Sequence, residues 1–283
     1  MNPSTLDVPG ATLYYEVRGT GPVLLLICGG VYDAALCTEL AANLADRFTV
    51  VSYDRRGNSR SPLTGSPTPQ DISTHADDAA RLLAVVSPET PAAVFGNSSG
   101  AQIGLELVAQ HSGRVAVLVA HEPPIWEVLP DGERLRTGTL EVADTYWAQG
   151  AAAAQAKFGA LLGMAGSADE PFAAGELPPE MLEMFGRMAI NNDFFLGYEI
   201  GSFCAHPVNL NALRQTSTRI VLAAGADSMG EPPHRAARRL AELLGTEAMI
   251  LPGSHGGFAS DPAGFGKALS EMLAATPVGS IHP

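Results

Sequence analysis

The run Ala92-Ala93-Val94-Phe95-Gly96-Asn97-Ser98-Ser99-Gly100-Ala101-Gln102-Ile103-Gly104-Leu105-Glu106-Leu107-Val108 decides how the whole chain is read. Its first four residues form a short apolar block, suited to a buried strand, and the block stops at Gly96. From about Ser99 the spacing turns helical, with Ile103, Leu107 and Gln110 flanking one face. Between the two lies Gly96-Asn97-Ser98-Ser99-Gly100, a G-x-S-x-G pentapeptide. As a sharp strand-to-helix turn it would hold Ser98 in a strained backbone conformation, its hydroxyl standing clear of the sheet. The glycines then avoid a Cβ that would meet neighbouring backbone, and a helix N-terminus at Ser98 favours developing negative charge. The plainer alternative is a glycine-rich turn whose serines cap a helix, which the pentapeptide alone does not exclude in a chain with 30 glycines. Context separates the two: a strand before, a helix after, and a base and an acid elsewhere in the chain.

Outward from that run, apolar strands alternate with amphipathic helices. Residues 12–18 alternate as a half-buried strand does. Residues 23–28 are uninterrupted apolar, the pattern of a strand buried on both faces of a parallel sheet, and break at Gly29-Gly30. A helix over 34–46, a strand over 48–53, a helix over 72–86 and a strand over 115–120 follow. The rhythm resumes with a strand at 219–224, a helix at 232–244, a strand at 247–251 and a helix at 262–275 with Asp261 as its N-cap. Such alternation predicts an α/β fold built on a doubly wound, mostly parallel sheet, with function gathered at the carboxyl ends of the strands.

Residues 125–212 interrupt the pattern with helical patches and no clear strand, and are read as a helical cap over a core formed by residues 1–124 and 213–283. The cap carries Trp126, Trp147, Phe158, Met164, Met181, Met184, Met188, Phe194, Phe195 and Phe203. Met and Phe at helical spacing ordinarily mean packing. Since the cap must lie over the Ser98 turn, Trp126, Met184, Met188 and Phe203 are the expected substrate wall.

The chain has 283 residues, 46% of them hydrophobic and 17% charged, which describes a compact globule. A formal charge of −13 repels nucleic acid and anionic membranes, so neither is an expected partner. Three cysteines, Cys28, Cys37 and Cys204, are odd in number and lack metal-ligand spacing, so free thiols in a reducing compartment are expected. The first residues have no basic start or apolar core of a signal peptide, and the longest apolar run is far too short to span a bilayer. A cytoplasmic location is the expectation. The sequence leaves the oligomeric state open, a homodimer included.

A serine hydroxyl needs a base to take its proton. Of seven histidines, His255 lies in Pro252-Gly253-Ser254-His255-Gly256-Gly257-Phe258, directly after the last strand and so at the same sheet edge as Ser98. His75 and His234 read as solvated on polar helix faces, His282 as tail, His111 as pointing away, and His206 as a cap residue. His255 is the candidate base.

With Gly-Asn-Ser-Ser-Gly, Gly-Ser-His-Gly-Gly-Phe and an early strand ending in glycines, the chain resembles the α/β-hydrolase superfamily over nearly all of its length outside the cap. Asp54-Arg55-Arg56-Gly57-Asn58-Ser59-Arg60-Ser61 is similar to the family's Asp-x-x-Gly-x-Ser loop, which shapes the rim of the site. Where the family often has His before Gly, this chain has Cys28, read as a small buried residue. The resemblance implies an acid after the strand at 219–224, commonly Gly-x-x-Asp. Counted from Gly225 that slot holds Ser228, and Asp227 falls one residue early. The other candidate is Glu122, in His121-Glu122-Pro123-Pro124 at the end of the strand after the elbow. This segment, with the Ser-Ser-Gly turn, is similar to hydrolases of resorcylic macrolactones such as zearalenone, where the Glu is the acid. Glu122 is therefore preferred, with Asp227 as alternative.

The expectation is a serine hydrolase acting on a small-molecule carboxylic ester or lactone, apolar or aromatic, without cofactor or metal. Ser98 is its nucleophile, His255 its base and Glu122 its acid, and the N–H groups of Ser99 and Gly30 (alternatively Val31) form the oxyanion hole. C–C bond hydrolysis, lyase chemistry and cofactor-free oxygenation run on the same triad, and a non-catalytic receptor is the remaining rival.

Overall fold

The computed structural model describes residues 2–163 and 178–274; Met164 and His282 lie outside them. Eight strands form one sheet: β1 (Asn2–Val8), β2 (Ala11–Arg18), β3 (Val23–Ile27), β4 (Thr49–Tyr53), β5 (Ala92–Asn97), β6 (Val115–His121), β7 (Arg219–Gly225) and β8 (Met249–Leu251). Their spatial order is β1-β2-β4-β3-β5-β6-β7-β8. β1, β2 and β4 pair antiparallel, and every pairing from β4 through β3 to β8 is parallel.

The helices are α1 (Thr38–Leu44), α2 (Ile72–Val86), α3 (Ser99–His111), α4 (Gly132–Gln149), α5 (Ala151–Leu162), α6 (Pro179–Phe194), α7 (Ile200–Ala205), α8 (Leu210–Gln215), α9 (Pro232–Leu243), α10 (Gly257–Ser260) and α11 (Pro262–Ala274). Their starts follow local chemistry. Asp71 caps α2 by accepting from Ser73 N at 3.0 Å, and Asp261 holds the first turn of α11 through Gly264 N at 3.0 Å.

The unbroken apolar strands are unbroken because both faces are covered. Side chains alternate along a strand, so Leu25 and Ile27 of β3 join Val94, Leu118, Ala120 and Leu222 on one face, with α2, α3 and α9. Leu24 and Leu26 join Phe95, Val119 and Ala223 on the other, with α1 and α11. Each such Leu contributes roughly 1.5–3 kcal/mol by burial, and truncating Leu25 to Ala would cost about 2–5 kcal/mol. β5 lies between β3 and β6, so its carboxyl end opens near the middle of the sheet.

The stretch expected to be a cap is the helical segment α4 to α8 between β6 and β7. It takes part in two small apolar clusters, Trp126 with Leu129, Leu135, Leu162 and Ala236 of α9, and Val142 with Ala154, Leu196 and Ile200. α8 straddles the expected boundary at 212, and its Leu213 is buried in the sheet's own core.

Three sequence expectations are corrected here. Cys28 and Cys37 are a disulfide, not free thiols, because the turn at 29–33 and the 3-10 turn Ala34–Cys37 fold the chain back beneath the end of β3; Cys204 is free. His75 and His234 are buried rather than solvated, at 1% and 2% exposure. Each has polar or charged neighbours in sequence, but α2 turns His75 against Phe203 and α9 turns His234 toward Gly225. No described helix is long and apolar enough to cross a membrane.

Candidate active site

Ser98 stands at the junction of β5 and α3 with φ 56° and ψ −126°, a conformation that non-glycine residues rarely adopt. The junction is closed tightly. A Cβ on Gly100 would lie 2.0 Å from Ile27 O, and one on Gly96 would lie 2.5 Å from Gly100 O. The Ser98 N–H donates to His121 O at 2.9 Å, which ties the turn to the end of β6.

His255 follows β8 on the Pro252–Gly257 turn, partly exposed, and its Nδ1 lies 2.6 Å from Glu122 Oε2. Its backbone carbonyl accepts from Asn97 Nδ2 at 3.0 Å. The same carboxamide donates to Nδ1 of the buried His121, also at 3.0 Å, which leaves that ring's proton on Nε2. Burial holds His121 down to about pKa 4, the neighbouring Glu122 opposing, so the ring is neutral at pH 7.

Glu122 is fully buried and takes a positive φ of 50° just beyond β6, with its N–H on Ala223 O at 2.9 Å. Its Oε1 accepts from Gly225 N at 2.8 Å and from the hydroxyl of Ser228. Burial raises its pKa, but the hydrogen bond and charge of His255, with His121 and Ser228, bring it down to about 2. It is an anion at neutral pH. Asp227 is exposed, outside this cluster, and its N–H donates to Gly253 O. The slot one residue later is used all the same: Ser228 occupies it as a donor to the glutamate.

The turn after β3 faces the elbow. Ser99 opens α3, so its N–H has no acceptor within the helix. Gly30 has φ 56°, and its N–H donates to Ser99 Oγ at 2.9 Å. Among the described residues the Val31 N–H has no acceptor.

Gly29, Gly30, Val31, Ser98, Ser99 and His255 all open on one cavity of about 360 Å³. Much of its apolar wall comes from the segment between β6 and β7: Trp126, Phe158, Leu162, Phe195, Ile200 and Phe203. Gln102, Thr139, Gln155 and Cys204 add the few polar atoms. Trp126 keeps its indole satisfied by donating to Thr139 Oγ1 at 3.1 Å, leaving its ring as surface.

Trp126 and Phe203 are therefore at the expected wall, whereas Met184 and Met188 do not line it. α6 lays the stripe Arg187, Asn191 and Phe194 on the loops below, with Arg187 on Asp33, Asn191 on Val31 O and Phe194 over Gly57. Met184 shares that stripe by helical spacing, and it is buried without lining the cavity on which Ser98 opens.

A model of the Alpha/beta hydrolase family matches residues 24–268. The chain belongs to that family. The uncharacterized hydrolase YraK of Bacillus subtilis is 35% identical to it over 277 residues, 96% of each chain. A carboxylesterase structure from Nitrososphaera gargenis superposes with TM-score 0.71 at 22% identity, over 96% of this chain and 98% of that one. The N-acyl homoserine lactonase AidH superposes with TM-score 0.68 at 17% identity, over all of both chains. At such identities the two structures show a shared fold. With this α/β-hydrolase fold, the chain is a hydrolase whose structural neighbours include esterases and lactonases.

Sequence reasoning missed Ser228, Asn97, Phe158, Leu162, Phe195 and Ile200 at this site. Asn97 had a signal, being the variable residue inside the elbow pentapeptide. The cap residues had none, because helical periodicity tells which face is buried but not which neighbour it meets.

Proposed function

We propose that this α/β hydrolase cleaves a neutral, largely apolar carboxylic ester or lactone through an acyl-enzyme on Ser98. One observation carries the reading: Ser98 and His255 open on the same apolar cavity, and the far nitrogen of His255 lies 2.6 Å from a buried, anionic Glu122. Ser98 Oγ attacks the carbonyl carbon as His255 Nε2 takes its proton. Glu122 keeps the imidazole proton on Nδ1 and stabilises the imidazolium. The oxyanion is held by backbone N–H groups of Ser99 and of the turn after β3. His255 then protonates the leaving alkoxide, and water repeats the sequence to release the acid and restore Ser98.

The substrate class follows from the wall. No Lys, Arg, Asp or Glu lines the cavity among the described residues, so a charged acid or leaving group would be desolvated without a partner. Its volume is near the low end of the roughly 300–1,000 Å³ usual for small-molecule sites. Aromatic and medium-chain esters and macrolactones are favoured over peptides. A glutamate acid at this position, similar to that of the resorcylic-macrolactone hydrolases, makes zearalenone a substrate worth assaying beside p-nitrophenyl esters.

The test is fluorophosphonate labelling of Ser98, read by intact mass, together with pre-steady-state release of p-nitrophenol. Labelling blocked by His255→Ala and a burst matching the enzyme concentration are expected. A wild-type protein that neither labels nor turns over any neutral ester would overturn the reading.

A further inference from the structure

We infer that Arg55 and Glu199 are positioning residues for the oxyanion turn, so that the donors facing Ser98 are aimed only when the cap is seated. The inference rests on the hydrolase reading of Ser98 above. Arg55 is 1% exposed and lies under the turn. Its Nε donates to Cys28 O at 3.0 Å, and one terminal nitrogen donates to Gly30 O. Both terminal nitrogens also grip the carboxylate of Glu199, itself fully buried and 144 residues away in the cap.

The peptide geometry gives this grip a consequence. Gly30 C=O and Val31 N–H belong to one trans peptide and point in opposite directions. Holding the carbonyl toward Arg55 therefore turns the Val31 N–H to the opposite side of the turn. The preceding peptide is fixed likewise, Gly30 N–H on Ser99 Oγ and Gly29 O on Tyr32 N at 3.2 Å. Only a planar fork serves two carbonyls and a carboxylate at once.

The cap supplies the other anchors. A π-helical turn, Phe195–Glu199, interrupts the register after α6 and places Glu199 inward, beside Asn58 Nδ2 at 3.2 Å and His75 Nε2 at 3.9 Å. Such turns are rare and recur at functional sites. Asn191 donates to Val31 O at 2.9 Å, and Arg187 reaches Asp33, the last residue of the turn, at 2.7 Å. The turn is thus held from one side by the core arginine and from the other by α6, and Glu199 joins the two.

The experiment compares wild type with Arg55→Lys, which keeps the charge opposite Glu199 but loses the fork, and with near-isosteric Glu199→Gln. Folding is checked by circular dichroism and thermal unfolding. Three quantities are read: kcat and KM on a p-nitrophenyl ester, the affinity of a trifluoromethyl ketone that forms a tetrahedral adduct, and the rate of fluorophosphonate labelling. For whichever variant folds, kcat, adduct affinity and labelling rate should fall together by about 10- to 100-fold, with KM within about threefold. A folded variant with unchanged adduct affinity and labelling rate overturns the inference. A wild type that fails to label sinks the serine-hydrolase reading instead, which keeps the two failures apart.

Discussion

Ser228 donates its hydroxyl to Oε1 of Glu122, across 106 residues of chain. Position 228, where the sequence resemblance implies a carboxylate, thus carries a hydroxyl that donates to the glutamate. With Gly225 N–H on the same oxygen, Oε2 is left for His255 Nδ1. That arrangement is why the proposed reading assigns the acid to Glu122, Asp227 being exposed and outside the cluster.

Glu122→Gln should lower kcat on a p-nitrophenyl ester by about 10³–10⁴-fold, because an amide cannot hold the imidazolium and favours the wrong tautomer. Asp227→Asn should stay within about twofold. Equal losses from the two substitutions would refute the assignment, and steady-state kinetics decide it.

Exchanging the two positions tests the geometry from the other side. Glu122→Ser alone should be as poor as Glu122→Gln. Adding Ser228→Asp should restore at least about tenfold of the lost kcat, since the carboxylate then enters from the neighbouring strand end. A double variant no better than the single one would mean that Ser228 is too far round the turn.

Ser98→Gly should be inactive and more stable than Ser98→Ala. Its backbone lies in a region that costs a side chain about 1–3 kcal/mol, against about 0.5–1 kcal/mol for glycine's extra chain entropy. A net gain of roughly 1 kcal/mol moves the melting temperature by about 2–4 °C in a chain of this size. Calorimetry of the two variants gives the answer directly.

Stability should decline on acidification from about pH 6.5 toward 4. Burial holds His121 near pKa 4, against about 6.5 when unfolded, so the unfolded chain binds the extra proton in that window. The loss approaches roughly 1.4 kcal/mol per pH unit for this group, on the order of 3 kcal/mol in all. Buried His75, also held well below its ordinary value, acts in the same direction. Glu122, held near 2, contributes stability that is present above about pH 4.5 and is lost only as pH falls further toward 2. Urea midpoints that stay level between pH 7 and 4.5 would contradict the prediction.

The α/β architecture is legible because strands covered on both faces leave unbroken apolar runs, as at Leu24–Ile27, and because the elbow needs its glycines where backbone crosses backbone. β1 is not legible: an edge strand with few apolar side chains leaves little pattern. The burial of His75 and His234 is hidden for another reason. Helical spacing reports a face, and a polar residue on it reads as solvated until its partner is known. Arg55 and Glu199 are the extreme case, since each looks like ordinary surface charge until a chain excursion of 144 residues brings them together. The Cys28–Cys37 bond is the reverse error, an inference from cysteine number and compartment that a short fold-back of the chain overrode.

The side-chain amide of Asn97 binds both the carbonyl of residue 255 and the ring of His121, while residue 98 hangs from the end of β6 through its own N–H. Alcohol and imidazole consequently share one chassis, fastened to the sheet rather than to the helices between β6 and β7. Neither tether passes through the helices overhead, so a shift of those helices would reshape the entrance to the cavity without pulling on the fastening of residues 98 and 255.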